Sequence, residues 1–188
     1  VDALTLGSAK LRDVVRLPRG EDLKEWLAVN IADLFKQSRM VYGIVCDECT
    51  KETCPKMTAG PQYEYYWTEE DGKGGVKTMS LAACEYMDYL LTAIADQLDD
   101  DHSFPSKLGT EFPPNYMDIC QSIMKRIFRV YAHVLTAHSD TICQHGAVPH
   151  VNTSLKHFVL FARQFDLVSE DSLSPLSHII DSLLPSPT

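Results

Sequence analysis

The stretch PPNYMDICQSIMKRIFRVYAHV, residues 113 to 134, decides the predicted fold. Apolar side chains recur in it at steps of three and four, which is the period of an amphipathic α-helix. The two prolines at its start are typical of a helix N-terminus, where a backbone N–H has no intrahelical partner. The segment therefore predicts a central helix with a broad apolar stripe. The stripe consists of Ile119, Ile123, Met124, Ile127, Phe128, Val130, Tyr131 and Val134.

Other segments show the same helical period. We expect helices over residues 21–37, over residues 80–98 with Ser80 as N-cap, after the capping signal at Asn152 and Thr153, and over residues 174–184. Residues 62–79 instead predict a short hairpin, because two strand-like runs flank the glycine-rich turn EEDGKGG. The predicted fold class is an all-α helical bundle with one small β-hairpin.

The length of 188 residues fits one domain, and no repeat or linker divides residues 1–188. The chain starts at Val1, so we expect an N-terminal extension to be missing, and residues 185–188 are expected to fray. The 17 basic and 26 acidic residues give a net charge of −9, which disfavours nucleic acid and anionic membranes and favours a basic partner. With no membrane-span or leader pattern, the sequence predicts a soluble intracellular protein.

Cysteines supply the first candidate site. In a reducing compartment, closely spaced cysteines bind metal or carry out redox chemistry more often than they form disulfides. Cys49 and Cys54 form such a pair in DECTKETCPKM, residues 47 to 57. Cys84 and Cys120 lie in apolar helical patterns and are expected to be core residues.

Two histidine pairs could complete a metal site with these cysteines. His133 and His138 have the same spacing as His145 and His150. A step of five residues turns about 140° around a straight helix, so either pair can share a metal only where the helix ends or distorts. Spacing alone does not choose between the pairs. Two cysteines and two histidines predict a closed, structural zinc site rather than a catalytic one, which would keep an open position.

Cys46 offers an alternative, since CDEC over residues 46–49 is a C-x-x-C motif. A thioredoxin-like motif belongs to a strand-helix junction in an α/β chain, and this sequence has no such alternation. Redox chemistry is therefore disfavoured, and Cys46 as a replacement zinc ligand is a secondary alternative.

Two charged features suggest binding surfaces. KRIFR, residues 125 to 129, places Lys125, Arg129 and His133 along one flank of the central helix, with Arg126 about 100° away. Such cations can hold a dianionic phosphate, although a solvated face paired with carboxylates is the simpler interpretation. On the first predicted helix, an acidic flank could bind Lys or Arg residues of a partner. The alternative is that this flank is an ordinary solvent-exposed helix face. This flank consists of Glu21, Glu25 and Asp33.

The sequence resembles the Mob (Mps one binder, phocein-related) family of kinase coactivators, most closely its Hippo and mitotic-exit branch. The resemblance runs in order through LPRGEDLKEWLAVN, MVYGIV, CTKETCPKMTAGPQYEYYW, DQLDDDHSFPSKLGTEFPPN, KRIFRVYAHV and HVNTSLKHFVLFARQFDLV. It implies the Mob/phocein fold with a structural Zn²⁺ ion. The implied ligands are Cys49, Cys54, His133 and His138.

The resemblance also implies partner surfaces. Lys125, Arg126 and Arg129 are expected to recognise phosphothreonine peptides of upstream Ste20-type kinases. Glu21, Glu25 and Asp33 are expected to dock the basic N-terminal regulatory region of NDR/LATS-type AGC kinases. Thr5 resembles a position that an upstream kinase phosphorylates, where added negative charge could free the docking surface.

The function expected from this resemblance is that of a non-catalytic, monomeric adaptor that activates NDR/LATS-type kinases in Hippo signalling, mitotic exit and cytokinesis. The implied location is the cytoplasm, with the nucleus and spindle poles as further sites. The alternative is a phocein-like phosphopeptide scaffold for other partners. A zinc hydrolase or thiol-redox enzyme is a third hypothesis, disfavoured because the sequence lacks a set of nucleophile, base and orienting residue.

Overall fold

The computed structural model describes residues 7–185, and Thr5, the predicted phosphorylation site, lies outside them. The described part confirms the predicted helical bundle with one hairpin. Its helices are α1 (Ser8–Val15), α2 (Leu23–Val45), α3 (Ala83–Asp99), α4 (Tyr116–Ala137), α5 (Ser139–Gln144), α6 (Val148–Gln164), α7 (Glu170–Leu173) and α8 (Ser177–Leu183), and its strands are β1 (Trp67–Glu70) and β2 (Val76–Met79). None of the helices in this range combines the length and apolar character needed to cross a bilayer.

Helix α4 is the centre of the bundle, as the sequence predicts. Its stripe residues from Ile123 to Val134 are buried, whereas Ile119, near the start of the helix, is only half-buried. Helix α2 packs along α4, with α3, α5 and α6 around them. The predicted short helix over residues 174–184 is also confirmed, as a 3-10 turn at Ser174–Leu176 followed by α8.

Helix α2 begins at an aspartate cap. The side chain of Asp22 accepts a hydrogen bond of 3.1 Å from the backbone N–H of Glu25, which satisfies one of the free donors of the first turn. The helix continues to Val45, eight residues beyond the predicted end at residue 37. It therefore delivers the chain directly to the cysteine segment at residues 46–54.

Two predicted helix starts are wrong. Helix α3 begins at Ala83 after Ala82, and Ser80 does not cap it, because the Ser80 hydroxyl donates to the Glu64 carboxylate at 3.0 Å. Helix α6 begins at Val148, four residues before Asn152, because Pro149 fits the first helical turn, where its missing N–H leaves no bond unmade.

The short helices α1, α5 and α7 were not predicted from the sequence. Helix α1 buries only Leu11 and Val15, too few positions to show a period. It packs against α6, and the Trp26 indole N–H on α2 donates to the Val15 carbonyl at 3.2 Å. The N-terminal helix is thus joined to both α2 and α6.

The hairpin pairs β1 and β2 antiparallel, with Trp67 opposite Met79 and Glu70 opposite Val76. The Asp71 side chain accepts hydrogen bonds from the backbone N–H groups of Lys73 and Gly75, at 2.9 and 2.8 Å. Trp67 is the buried position of β1, and its ring packs edge-on against Tyr86 of α3, with 5.5 Å between centroids. The hairpin is therefore anchored by one tryptophan.

Candidate metal centre and binding surfaces

Four buried side chains form a cluster that could bind a metal ion. The ligand atoms of Cys49, Cys54, His133 and His138 all lie within 4.8 Å of one another. Helix α4 ends at Ala137, and His138 is its C-cap with φ −129° and ψ 27°, so the two histidines can converge despite their five-residue spacing. The structure thus brings the first histidine pair to the cysteines.

The other candidate ligands lie elsewhere. His145 and His150 are exposed and are not part of the cluster. Cys46 is exposed as well, and its Sγ lies 3.4 Å from the Gly43 carbonyl rather than among the four ligand atoms. Of the two cysteines expected in the core, Cys120 is buried and Cys84 is half-buried.

A compact turn holds the two thiols on the same side. The Thr53 hydroxyl donates to the Glu48 carbonyl at 2.6 Å and accepts from the Thr50 N–H at 2.9 Å. The Cys54 N–H donates to the Thr50 carbonyl at 2.8 Å, and the Cys54 carbonyl accepts from the N–H of Ala83 at 3.0 Å. The turn is thereby fixed to the start of α3.

The distances within the cluster fit tetrahedral zinc. Cys49 Sγ lies 3.5 Å from His133 Nε2, and Cys54 Sγ lies 3.5 Å from His138 Nε2. Zn–S and Zn–N bonds of ordinary length at a tetrahedral angle place sulfur and nitrogen about 3.6 Å apart. The Nδ1–H of His133 donates to the Thr58 carbonyl at 2.7 Å, which leaves Nε2 free as a ligand.

Electrostatics require a cation if both thiols are to ionise. Burial, and to a lesser degree the neighbouring Cys54, raises the pKa of the Cys49 thiol to about 12. Burial also lowers the pKa of His133 and of His138, which keeps both imidazoles neutral at pH 7. Neutral imidazoles are ready to bind a metal, and a bound divalent cation would stabilise the thiolates that burial opposes.

Two arginines of the predicted basic stripe, Arg126 and Arg129, pack their guanidinium groups against aromatic rings. Arg129 Nη1 donates to the Tyr86 hydroxyl at 2.7 Å, and its guanidinium lies 5.2 Å from the centroid of the Tyr65 ring. The Arg126 guanidinium lies 5.6 Å from the centroid of the Trp67 ring. Lys125 is exposed, whereas His133 is buried in the four-residue cluster, so the stripe ends at Arg129.

Neither arginine has a carboxylate partner among the described residues. The ion pairs of residues 7–185 join Arg16 to Asp13, Lys51 to Glu85 and Arg163 to Glu170. Burial and the neighbouring Arg129 lower the pKa of Arg126, as expected for a cation without a counter-ion. The simpler interpretation of a solvated face paired with carboxylates therefore does not describe these two side chains.

The predicted acidic flank is less regular than expected. Glu21, Glu25 and Asp33 are all exposed, but Glu21 precedes α2 and does not share its helical register. The Asp33 carboxylate accepts a hydrogen bond of 2.8 Å from the side chain of Gln37. Glu25 therefore differs from the other two carboxylates. It belongs to α2, unlike Glu21, and it accepts no hydrogen bond from Gln37, unlike Asp33.

Sequence analysis missed an apolar groove between α2 and α6. On α2, Val29 and Met40 are 65% and 63% exposed, which interrupts an otherwise polar face. A cavity of about 320 Å³ lies beside Met40, with His150 and Ser154 on its α6 side. The exposed apolar positions were the available signal, but only the packing of α6 shows that one of them, Met40, borders a cavity.

Sequence analysis also missed the aromatic residues beneath the arginines. Tyr65 and Trp67 belong to QYEYYW, which predicted a strand, and Tyr86 belongs to the helical pattern of α3. Nothing in their spacing places them beside α4, because the contacts are between distant segments.

Comparison with known proteins gives concordant matches over almost the whole chain. The Mob1/phocein family matches residues 3–176. A MOB kinase activator-like 1 homolog A of Dictyostelium discoideum is 48% identical over 97% of this chain and 85% of the relative. MOB kinase activator-like 1A of Arabidopsis thaliana is 46% identical over 98% of this chain and 84% of the relative. The protein of the same name from Medicago sativa subsp. falcata is 47% identical over the same shares.

Proposed function

The chain belongs to the Mob1/phocein family, and on that premise we propose that it is a non-catalytic adaptor that binds and activates protein kinases of the NDR/LATS type. The observation that carries this proposal is the similarity at 46% to 48% identity, over nearly the full chain, to relatives named as kinase activators.

The exposed face of α2 supports the docking part of the proposal. It presents Glu25, Val29 and Asp33 on successive turns and then Met40 beside the apolar groove. A basic amphipathic segment of a kinase would place its cations on the carboxylates and its apolar side chains at Val29 and in the groove. The excess of negative charge on the whole chain would favour the same encounter.

The docking proposal is tested by reversing charge at Glu21 and Glu25 together. We expect Glu21→Lys with Glu25→Lys to weaken binding of the basic N-terminal regulatory segment of an NDR/LATS-type kinase by about tenfold or more, since two attractive contacts become repulsive. Isothermal titration at near-physiological salt measures the affinity, and a kinase assay measures activation. Both should fall together.

A matched control separates a local effect from a change in net charge. Asp47→Lys with Asp140→Lys makes the same charge change at two exposed positions beyond the C-terminal ends of α2 and α4, which the four-residue cluster brings together. These positions lie about 30 Å along α2 from Glu25, and at a Debye length of about 8 Å such charges are screened and should change affinity little. Equal losses in both double variants, or no loss at Glu21 and Glu25, would contradict the docking assignment.

The unpaired arginines support a second activity, recognition of phosphothreonine peptides from upstream Ste20-type kinases. Arg126 and Arg129 are half-buried cations that lie on aromatic rings and form no ion pair with any carboxylate in residues 7–185, which favours an incoming anion. Arg129 and the exposed Lys125 line a shared cavity of about 130 Å³. If phosphopeptide binding survives while the kinase segment fails to bind, the phocein-like scaffold becomes the better description.

Tyr86→Phe should weaken phosphopeptide binding about three- to tenfold. The change removes the hydroxyl that accepts from the charged Arg129 guanidinium but keeps the ring. A charge-assisted bond contributes about 1.5 to 3 kcal/mol, and the bound phosphate, which also orients the guanidinium, should recover part of this loss. Tyr89→Phe is the matched control, since Tyr89 is half-exposed on the same helix and contacts Trp67 only through its ring. Affinity by titration and Tm are measured for both. An unchanged affinity in Tyr86→Phe would show that Arg129 needs no such positioning.

We further propose that the four-residue cluster holds Zn²⁺ as a structural ion. Its chemistry there would be to bind two thiolates and two imidazoles, which joins the turn after α2 to the end of α4. With four protein ligands, the ion would have no open position for a substrate. This agrees with an adaptor rather than a zinc hydrolase.

A further inference from the structure

Two cavities lie side by side along α4 and share one residue. The first, of about 130 Å³, lies between Arg129 and Lys125, and the second, of about 210 Å³, lies between Lys125 and Gln121. These three residues occupy successive turns of one helix flank, so the two cavities together span about 12 Å along the axis. An extended peptide covers this distance in about three to four residues.

Asp166 lines the second cavity in an uncommon backbone conformation. It follows the end of α6 with φ +53°, a left-handed conformation that no other non-glycine residue of segment 7–185 adopts. Its backbone carbonyl accepts a hydrogen bond of 3.2 Å from Gln121 Nε2, which fixes the residue against α4. Uncommon backbone conformations that a specific contact maintains are concentrated at functional sites.

The carboxylate of Asp166 is available to a ligand. Asp166 and Lys125 line the same cavity, yet neither takes part in any ion pair of the described segment. Leu167, which is buried, also lines this cavity. An acid and a base that share a cavity without pairing leave room for a chain to pass between them.

We propose that a phosphothreonine peptide bound at Arg126 and Arg129 continues along α4 into the second cavity, where Asp166 selects a Lys or Arg about two to four residues from the phosphothreonine. The inference rests on the proposed phosphopeptide function and adds a sequence preference to it. Lys125 would bind the phosphate, while the acceptor-only carboxylate of Asp166 favours a cationic donor.

The test uses a set of nine-residue phosphothreonine peptides with an alanine and serine background. Each member carries one Lys at a position from four residues before to four residues after the phosphothreonine, and the parent carries none. Titration of the full chain at 0.15 M salt should show about three- to fivefold tighter binding for Lys at one or two positions, the scale of a solvent-accessible ion pair. Lys should have no such effect at the remaining positions.

The matched variant is Asp166→Asn, because asparagine tolerates the left-handed conformation and keeps the backbone contact with Gln121. It should bind the parent peptide as the wild type does and lose the Lys preference, whereas Asp99→Asn should retain it. A preference that is absent from the wild type, or that survives in Asp166→Asn, would overturn the inference alone. Failure of the parent phosphopeptide to bind would overturn the proposed phosphopeptide function together with it.

Discussion

His138→Ala is expected to lose the proposed Zn²⁺ ion and several kcal/mol of folding free energy. His138 is buried, and its Nε2 lies 3.5 Å from Cys54 Sγ. With three ligands the site would hold zinc weakly, and structural zinc contributes about 10 to 16 kcal/mol in small zinc-finger peptides. The larger core of this chain should persist, so we expect a lower Tm and loss of hydrogen-exchange protection at residues 46–57 rather than complete unfolding.

His150→Ala is the control for this experiment, because His150 belongs to the histidine pair of identical spacing that lies outside the cluster. Elemental analysis should give one zinc per chain for the wild type and His150→Ala, and about a tenth or less for His138→Ala. A strong chelator should reproduce the His138→Ala behaviour in the wild type, since the apo state is then the same. Normal zinc content in His138→Ala would refute the ligand assignment.

Replacing Arg126 and Arg129 together by glutamine should reduce phosphothreonine-peptide affinity by at least about 100-fold. Hydrogen bonds to charged groups contribute about 1.5 to 3 kcal/mol each, so the loss of two amounts to about 3 kcal/mol or more. The fold should tolerate the change, because neither guanidinium takes part in an ion pair within residues 7–185. Titration with phosphorylated and unphosphorylated forms of one peptide, together with Tm, provides the measurement.

Arg163→Gln is the appropriate comparison. The Arg163 guanidinium binds the Glu170 carboxylate through Nε at 2.8 Å and Nη2 at 3.0 Å, so its charge is already compensated. Its removal should leave phosphopeptide affinity unchanged. If the wild type bound both peptide forms equally, or if the double variant kept its preference for the phosphorylated form, Arg126 and Arg129 would not be a phosphate site.

The elements that the sequence predicted best are those with a strong local pattern, either a helical period repeated over many residues or a glycine-rich turn. Helices α2 and α4 and the hairpin could each be predicted from residues that are neighbours in the sequence. The start of α6 was misplaced because Asn152 and Thr153 suggest a cap, whereas Pro149 three residues earlier already fits the first helical turn. Helices α1 and α5 are too short for a period to emerge.

For the candidate sites too, local patterns identified individual residues but not the contacts between distant segments. Spacing identified Cys49 and Cys54 but left two histidine pairs open, because only the end of α4 at Ala137 decides which pair converges. The charge pattern located Arg126 and Arg129, but it could not show that aromatic rings rather than carboxylates surround them. Long-range contacts between segments are absent from any local pattern.

The cluster joins the segment that follows α2 to the C-terminal end of α4. Helix α2 carries the proposed kinase-docking face, and helix α4 carries Arg126 and Arg129. A single bound ion would therefore link the two helices that carry the proposed binding surfaces. A chain without zinc would keep its core but lose this link, so the two surfaces would no longer be held at a fixed separation.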